Sequence, residues 1–269
     1  MKIILNKYEI KSIFHNIKNL GFVPTMGALH DGHKSLIVRS VKECEKTIVS
    51  IFINKPQFDR KSDFEKYPNT LEKDISLLKK LKVDYLFLPS FKQIYPNGPN
   101  NKIVISSFEK ELCGKYRPGH FKAIVDVIDR FLKIIKPKNL YLGEKDMQQL
   151  MIIESYIKKK KTRTKIIPCM TLREKNGIAY SSRNILLSKK EKNIASKVYK
   201  LIYYNKNYII KNSYLLKKIK KNILKMGVNK IDYIKLININ KIIKPYKKNI
   251  KYKIFIAYYL GTTRLIDNI

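Results

Sequence analysis

The stretch Pro24-Thr25-Met26-Gly27-Ala28-Leu29-His30-Asp31-Gly32-His33 leads from a short apolar segment into a helical pattern. A strand that passes through a glycine-containing turn into a helix presents unpaired backbone N–H groups and the positive end of the helix dipole. Gly27 and Gly32 allow a ligand to approach the backbone closely, and His30 and His33 lie one turn apart at the helix start. The stretch therefore predicts a site for the phosphates of a nucleotide, with two imidazoles as directional donors.

A pair of histidines can also belong to a metal site, or the two residues can lie on the surface by chance. The chain has four histidines, and three of them, His30, His33 and His120, fall in glycine-containing loop motifs. No cysteine or acidic cluster has the spacing that would complete a zinc site with them. The context therefore favours the phosphate site over both alternatives.

Short apolar segments alternate with helical patterns through the first two thirds of the chain. The predicted strands are those around Phe22-Val23 and at Thr47 to Ile53, Asp84 to Leu88, Asn139 to Leu142 and Lys165 to Met170. The predicted helices run from about His33 to Cys44, Leu71 to Leu81, His120 to Ile135 and Asp146 to Lys158. This alternation predicts an α/β fold with a Rossmann-like parallel sheet, and the near-continuous apolar run Ile48 to Ile53 is typical of a strand covered by helices on both faces.

The character of the predicted elements changes after about residue 171. The later elements are lysine-rich helices over Glu191 to Tyr204 and Tyr214 to Met226, then short strands near Tyr233 to Ile237 and Lys253 to Tyr259. Ser188 and Glu191 have capping-box spacing before the first helix, and Gly227 ends the second. We therefore predict a Rossmann-like nucleotide-binding domain at residues 1–171 and a smaller α+β domain at residues 172–269.

The formal charge of +36 would by itself indicate a nucleic acid or an anionic membrane surface as partner. Only eight of the 57 basic residues are arginine, and the chain is also rich in isoleucine, asparagine and tyrosine while it has no tryptophan. This joint excess is typical of an AT-rich genome, and it is spread along the chain rather than gathered into a stripe. Lysine runs such as residues 158–161 therefore indicate solvated helix ends, and we expect no specific nucleic-acid partner.

A length of 269 residues is ample for a globular core. No apolar run approaches the roughly 20 residues of a membrane span, and residues 1–7 lack the pattern of a secretory signal. The three cysteines, Cys44, Cys113 and Cys169, are isolated, which suits buried thiols in a reducing compartment. We therefore expect a cytoplasmic protein without a membrane partner.

Polar motifs follow two of the predicted strands. Gln57 lies in the loop 54–58, and Lys145 and Gln149 lie in the segment 143–149. Because ligands of open α/β sheets bind beyond the carboxyl ends of the strands, we expect these residues to share one cleft. Lys145 can reach a polyphosphate as a point charge, whereas the two glutamines offer neutral amides to a polar substrate. Taken alone, each glutamine is more often an ordinary surface amide.

Two loop motifs have less specific chemistry. The hydroxyls of Ser181 and Ser182 together with Arg183 suit a mobile phosphate clamp at the predicted domain junction, although a plain capped turn fits the same residues. The motif Arg117-Pro118-Gly119-His120-Phe121 opens a helix. We interpret it as positioning of that helix or as a subunit contact rather than as part of the catalytic machinery.

Together these motifs resemble the pantothenate synthetase family. His30-Asp31-Gly32-His33 alone indicates only the wider HxGH nucleotidyltransferase superfamily. The other family motifs occur in the family's order: Pro24-Thr25-Met26-Gly27, Gln57-Phe58, Tyr67-Pro68, Tyr95-Pro96-Asn97-Gly98, Arg117-Pro118-Gly119-His120-Phe121, Gly143-Glu144-Lys145-Asp146, Gln148-Gln149, Ser181-Ser182-Arg183-Asn184, Leu260-Gly261 and Arg264-Leu265-Ile266-Asp267-Asn268. The resemblance therefore covers essentially the whole chain.

Three positions depart from the family pattern. The proline of the Gln57 loop is shifted to position 56, and Asn69 stands where the family favours arginine. Tyr180 replaces a smaller apolar residue before the two serines, which could alter the packing of adenine.

The resemblance implies ATP-dependent ligation of (R)-pantoate and β-alanine to pantothenate, through a pantoyl adenylate and with release of AMP and pyrophosphate. It implies that His33, His30 and Lys145 are catalytic and that Gln57 and Gln149 bind pantoate. The ATP-binding residues that it implies are Met26, Gly27, Ala28, Leu29, His30, Asp31, Gly32, His33, Gly143, Glu144, Lys145, Asp146, Leu172, Tyr180, Ser181, Ser182 and Arg183. Magnesium is expected with ATP, with Asp74 as a candidate outer contact, and a homodimer is expected.

Two alternative functions predict different observations. Another adenylyltransferase of the same superfamily would transfer AMP and stop at a stable adenylylated product, and the paired Gln57 and Gln149 argue against it. A basic RNA-binding protein on an old catalytic scaffold would show clustered arginines and exposed aromatic platforms, and we locate neither in the sequence.

Overall fold

A computed structural model describes residues 1–100, 102–242 and 252–269 of the chain. Its larger sheet has six parallel strands in the order β1-β4-β3-β2-β5-β6. These strands are β1 (Lys2–Ile4), β2 (Leu20–Thr25), β3 (Lys46–Ile51), β4 (Tyr85–Phe87), β5 (Asn139–Gly143) and β6 (Lys165–Cys169). The predicted α/β fold with a Rossmann-like parallel sheet is confirmed.

The helices of the described residues run between and after these strands. Before β6 they are α1 (Lys7–Phe14), α2 (Asp31–Glu43), α3 (Lys61–Glu65), α4 (Leu71–Lys80), α5 (Phe91–Ile94), α6 (Leu112–Tyr116), α7 (His120–Ile135) and α8 (Met147–Lys160). The four helices predicted for this part correspond to α2, α4, α7 and α8. The prediction missed β1 and the helices α1, α3, α5 and α6, because elements of three to eight residues are too short to show a clear period.

Alternation along the strands places one hydrophobic cluster on each face of the larger sheet. Phe22 and Phe87 point to one face, where each ring makes an edge contact with Phe131 of α7 at 5.5 and 6.1 Å between centroids. The neighbouring residues Val23 and Leu86 belong to a second cluster on the opposite face. The sheet is thus covered on both sides, as the continuous apolar run of β3 predicts.

The C-terminal part combines two helices with an antiparallel sheet, so the predicted α+β character is confirmed. Its elements are α9 (Lys189–Lys211), α10 (Leu215–Lys225), β7 (Lys230–Asn238), β8 (Tyr252–Leu260) and β9 (Thr263–Asn268), with sheet order β7-β8-β9. Ser188 and Glu191 form the predicted capping box of α9. The strand β9 was not predicted, because Arg264, Asp267 and Asn268 interrupt its apolar pattern.

The two parts of the fold share hydrophobic contacts. Tyr233 and Phe255 of the antiparallel sheet belong to the same cluster as Phe22 and Phe131. A separate cluster joins the other face of this sheet to α9 and α10. The division at residues 171 and 172 therefore stays a proposal, and it separates two parts that pack against each other.

No helix in residues 1–100, 102–242 and 252–269 combines the length and the apolar character that crossing a membrane requires. The three cysteines are free thiols; Cys113 and Cys169 are buried as expected, whereas Cys44 is only half-buried.

Candidate active site

A cavity of about 510 Å³ lies beyond the carboxyl ends of β2, β3 and β5. The strand order reverses between β2 and β5, and open α/β sheets bind ligands at such a reversal. The predicted site residues that line the cavity are Met26, His30, Gly32, His33, Gln57, Gly143, Lys145, Asp146, Gln149, Leu172, Tyr180, Ser181, Ser182 and Arg183. The cavity walls do not include Gly27, Ala28, Leu29, Asp31 or Glu144.

The turn between β2 and α2 is held from within the protein. Gly27 and Ala28 have φ of 80° and 51°, so both lie in the left-handed region. The buried Asp74 carboxylate accepts the N–H of Ala28 at 2.9 Å and that of Leu29 at 2.8 Å, and Thr25 Oγ1 accepts the N–H of Gly27 at 3.2 Å. The expectation that these N–H groups are unpaired and available to an anion is therefore wrong.

The Asp74 carboxylate is held by this turn and by Thr70, whose hydroxyl also donates to it at 3.2 Å. Its side chain is only 3% exposed. The interpretation of Asp74 as an outer contact of magnesium does not fit this geometry, because both of its oxygens already accept hydrogen bonds from the chain.

The hydrogen-bond donors available to a ligand lie in the first turn of α2, rather than in the turn before it. His30 is the N-cap residue, and its side chain makes no capping hydrogen bond. A Cβ at position 32 would lie 2.8 Å from His30 Cε1, so glycine at this position leaves room for the imidazole. The positive end of the helix and both histidine rings thus reach the cavity together.

The two histidine rings stack with centroids 4.0 Å apart. Their Nδ1 atoms are buried and, among the residues that the structure describes, have no hydrogen-bond partner. Burial, assisted by the Lys145 ammonium, lowers the pKa of His30 to about 4. Burial, the His30 ring and Lys145 lower the pKa of His33 to about 3. Both imidazoles are therefore neutral near pH 7, and each can donate one N–H without carrying a charge.

The low histidine pKa values predict a loss of stability in mild acid. Because the folded-state pKa of His33 lies below its ordinary value of 6.5, the unfolded chain binds more protons between these two values. The stabilisation is complete above pH 6.5, and it falls by about 1.4 kcal/mol per pH unit for each such histidine as the pH drops toward 3. Urea unfolding of the native chain and of His33→Asn at pH 5 to 7 measures this effect. We expect the free energy of unfolding of the variant to depend less steeply on pH, by about the contribution of one proton. Equal pH dependence in the variant and the native chain would contradict the prediction.

A hydrogen-bond network in the cavity wall holds the loop that carries Gln57. The Gln57 carbonyl accepts a hydrogen bond from His120 Nδ1 at 2.7 Å and one from Arg117 at 3.3 Å. Arg117 also donates to His120 Nε2 at 2.9 Å, which fixes the tautomer with the proton on Nδ1. Burial and the Arg117 guanidinium lower the pKa of His120 to about 3. The motif at residues 117–121 therefore positions the Gln57 loop in addition to opening α7.

The side chains of Gln57 and Gln149 both face the cavity, but their partners differ. Gln57 Oε1 accepts from Asn54 Nδ2 at 3.0 Å, and Gln57 Nε2 lies 3.1 Å from Met26 Sδ. Gln149 lies in the first turn of α8 and is half-buried. The neighbouring Gln148 is buried and binds Cys113 N–H and the carbonyls of Phe108 and Glu111 instead. The structure thus separates a structural glutamine from the two that can meet a ligand.

The sequence profile of the pantoate-beta-alanine ligase family matches residues 2–269. The chain belongs to the pantoate–β-alanine ligase family. A pantothenate synthetase from Francisella tularensis subsp. mediasiatica is 42% identical over 95% of this chain and 93% of its own length. Another from Caldicellulosiruptor saccharolyticus is 39% identical over 100% of this chain and 99% of its own length.

Solved structures of pantoate–β-alanine ligases also match the fold. The enzyme from Francisella tularensis, described as a complex with beta-gamma ATP and beta-alanine, is 41% identical, with a TM-score of 0.83 and coverage of 100% of this chain and 97% of that chain. The enzyme from Thermus thermophilus has a TM-score of 0.90 at 28% identity, with coverage of 100% and 99%. The family resemblance predicted from the motifs is confirmed.

In this chain, the residues of the predicted phosphate clamp contact the Gln57 side of the cavity. The Arg183 guanidinium pairs with Asp63 at 2.8 Å, and Ser182 Oγ lies 3.3 Å from the Tyr67 hydroxyl. Ser181 Oγ accepts the Arg183 N–H at 3.3 Å at the start of a 3-10 turn. The capped turn that was the alternative to a clamp is therefore present, and the clamp role of these residues stays a prediction.

Tyr180, where the ligase departs from its family pattern, lies against the histidine pair. Its ring is nearly parallel to that of His30, with centroids 6.2 Å apart. A hydrogen bond to the Asp31 carboxylate raises the pKa of its phenol. The tyrosine therefore adds a flat surface to the mouth of the cavity.

The sequence did not predict the supporting roles of three residues at the site. Asn54, which is 2% exposed, links Gln57 to the Tyr95 hydroxyl at 2.7 Å. Asp74 holds the backbone just before the histidine pair, and Asn268 holds the carbonyls of Glu144 and Lys145. Asn54 shares with Gln57 a position directly after a strand, and Asn268 belongs to the last family motif, but neither pattern reveals which groups these side chains bind. Asp74 lies in none of the family motifs.

Exposed aromatic side chains, which the sequence did not reveal, are present in the C-terminal part. Tyr203, Tyr204 and Tyr208 of α9 are all more than half exposed, so aromatic rings do lie on the surface of this family member. The expectation that none would be found is therefore corrected. These tyrosines escaped notice because they lie within a lysine-rich helix whose periodicity indicates packing.

Proposed function

We propose that this cavity carries out the ATP-dependent ligation of (R)-pantoate and β-alanine to pantothenate, through a pantoyl adenylate and with AMP and pyrophosphate as products. The proposal rests on one observation: a single cavity is lined by a neutral histidine pair, Lys145, and the neutral amides of Gln57 and Gln149. The Francisella tularensis relative, described as a complex with an ATP compound and β-alanine, supports the same choice of ligands.

The glutamines suit the first chemical step, in which the pantoate carboxylate attacks the α-phosphorus. An arginine in their place would stabilise the carboxylate in the ground state and weaken it as a nucleophile. Gln57 and Gln149 hold the hydroxyl and carboxylate oxygens through neutral hydrogen bonds, which leave the nucleophile its charge. Asn54, His120 and Arg117 fix the Gln57 loop, so this hydrogen-bonding group is positioned before the substrate arrives.

The opposite wall suits the charge that develops on the α-phosphate and on the departing pyrophosphate. His30 and His33 supply N–H donors, and their buried unpartnered Nδ1 atoms fit a ligand rather than a purely structural role. Lys145 supplies a positive charge beside them, and the N-terminus of α2 adds its dipole. Ser181, Ser182 and Arg183 complete this set, with Arg183 leaving or sharing its contact with Asp63.

The remaining ATP contacts that we propose are made by Met26, Gly143, Asp146, Leu172 and Tyr180, which line the same cavity. Gly27, Ala28 and Leu29 act through the shape of their turn, since Asp74 and Thr25 already occupy their N–H groups. In the second step the amine of β-alanine attacks the activated acyl group and AMP leaves.

We propose that magnesium arrives on ATP. Within residues 1–100, 102–242 and 252–269 no group of three or more histidine, cysteine, aspartate or glutamate side chains is arranged to hold a metal ion. Magnesium keeps several waters and binds readily to phosphate oxygens, so this donor set fits an ion held largely by the nucleotide. The ion would supply charge neutralisation of the phosphates.

We also propose that the chain acts as a homodimer in the cytoplasm and that residues 172–269 close over the ATP site. The contacts of Arg183 with Asp63 and of Ser182 with Tyr67 are those that such a closure would use. Small-angle scattering with and without an ATP analogue measures both the dimer and the closure.

Separation of the reaction products tests the proposed reaction. ATP and pantoate should give AMP and pyrophosphate, and β-alanine should drive turnover to pantothenate. ADP and orthophosphate would instead indicate transfer of the γ-phosphoryl group and would overturn the proposal. An adenylylated compound that accumulates in the presence of β-alanine would favour the alternative adenylyltransferase of the same superfamily.

Replacement of Gln149 separates binding from chemistry. Gln149→Ala should raise the Michaelis constant for pantoate by about 10-fold or more and change kcat less, because one neutral hydrogen bond to the substrate is lost in both the ground state and the transition state. Steady-state kinetics with varied pantoate measures this effect. Gln93→Ala, whose side chain binds the Leu5 carbonyl far from the cavity, is the control. An unchanged Michaelis constant in Gln149→Ala would remove this residue from the pantoate site.

A further inference from the structure

Asn268, near the end of β9, contacts the backbone of the turn that carries Lys145. Its side chain is 2% exposed, and its Nδ2 donates to the Glu144 carbonyl and to the Lys145 carbonyl, both at 2.8 Å. Both hydrogens of the amide are thus used on two successive carbonyl oxygens of one turn. That turn, Glu144–Asp146, joins β5 to α8.

The orientation of this amide is fixed by its other partners. Asn268 Oδ1 accepts a hydrogen bond from Lys253 Nζ at 2.8 Å, so the oxygen faces an ammonium and the NH2 group faces the two carbonyls. The backbone of Asn268 lies opposite Phe255 in the β8–β9 pairing. The neighbouring Asp267 pairs with Arg173 through two bonds of 2.7 and 2.9 Å. The amide is therefore held at a defined point relative to the turn.

Lys145 depends on this turn because its charge is carried on a flexible stem. Its ammonium lies 3.3 Å from Asp146 and close enough to the histidine pair to lower the pKa of both rings. A shift of the turn backbone by about 1 Å would move the ammonium away from the phosphates, and displacements of that size cost on the order of 100-fold in rate.

We infer that Asn268 is a positioning residue for the adenylation step, and that it acts by fixing the backbone of Glu144 and Lys145 so that the Lys145 ammonium meets the phosphates. This inference rests on the phosphate-binding role proposed for Lys145. It links the C-terminal sheet to the chemistry at the carboxyl end of β5, in addition to the packing between the two parts.

A double-mutant cycle with Lys145 tests the inference against a merely structural role. Asn268→Asp keeps the size of the side chain but turns a carboxylate oxygen toward two carbonyl oxygens. We expect a 10- to 100-fold slower single-turnover formation of pantoyl adenylate, with a Michaelis constant for pantoate changed less than about threefold. In the Lys145→Ala background the same replacement should slow adenylate formation by less than about threefold, because the ammonium that Asn268 positions is absent.

Two further variants keep the test decisive. Asn268→Ser removes the amide without adding charge and should give the same coupling, so a folding defect of one variant does not end the experiment. Asn229→Ala is the matched control, since Asn229 Oδ1 accepts the Gly261 N–H at 2.7 Å at the opposite end of the β8–β9 hairpin. Its effect on adenylation should be small and independent of Lys145.

The possible outcomes distinguish this inference from the proposed role of Lys145. If Lys145→Ala alone adenylates at the native rate, the proposed role of Lys145 fails and the inference fails with it. If Lys145→Ala is slow but folded Asn268 variants adenylate at the native rate, or lose equally in both backgrounds, only the positioning inference is overturned.

Discussion

Lys145→Ala should form pantoyl adenylate about 10² to 10³ times more slowly than the native chain in a single turnover, with its fold intact. Loss of one preorganised electrostatic donor typically costs this much, because its contact strengthens as negative charge develops in the transition state. Lys145 lies in the cavity wall next to the histidine pair, and its ammonium already influences the pKa of both rings. Rapid quench after mixing enzyme, ATP and pantoate isolates this step from product release.

The matched control is a lysine of α8, the helix that follows the Lys145 turn, and it lies outside the cavity. Lys159 is exposed near the end of α8, and Lys159→Ala should adenylate at the native rate. If Lys145→Ala also retains the native rate, Lys145 is a solvated lysine in a lysine-rich chain, and the proposed phosphate contact is lost from the mechanism.

His33→Ala should slow the same step by about 10² to 10³, since it removes a neutral donor held in the first turn of α2. The imidazole lines the cavity and is stacked on His30, which leaves it little freedom to reorganise. Because the pKa of His33 is about 3 and that of His30 about 4, the adenylation rate of the native chain should not fall through protonation of these rings between pH 6 and 8.

Two measurements check this prediction. Single-turnover rates of His33→Ala and of the control His15→Ala, whose ring lies exposed after α1, give the effect of the imidazole. A pH profile of the native rate gives its protonation state. A loss of activity with a midpoint near pH 6.5 that disappears in His33→Ala would show that the protonated ring inhibits the step, and the assignment of a low pKa would then be wrong.

The parts of the site that the sequence could predict are those in which local pattern and chemistry coincide. Phe22 and Val23 alternate between the two faces of the sheet, Gly27 takes a positive φ, and the histidines follow at the spacing of one turn. Each of these features depends only on residues that are close in sequence, so it can be predicted from a single sequence. The order of the family motifs then indicated which loops lie together around the cavity.

The residues that the sequence could not place are polar groups whose partners are remote in the chain. Asp74 meets Ala28 across 46 residues, and Asn268 meets Lys145 across 123 residues. Aspartate and asparagine are common on surfaces, so nothing in their immediate sequence distinguishes a buried anchor from a solvated side chain. The expectation of free N–H groups at Ala28 and Leu29 was wrong for the same reason, because the acceptor that occupies them arrives from α4.

The 123-residue separation between the Lys145 turn and Asn268 also sets an order of events during synthesis. At roughly 5 to 20 residues per second, translation reaches the asparagine about 6 to 25 seconds after it has made the turn. The last strand of the parallel sheet, β6, is synthesised early in that interval, so all six strands can then pair while the turn between β5 and α8 still lacks the amide that holds its carbonyls. The parallel sheet can thus form before Asn268 is available, and the Lys145 turn is fixed only once the hairpin of β8 and β9 has docked.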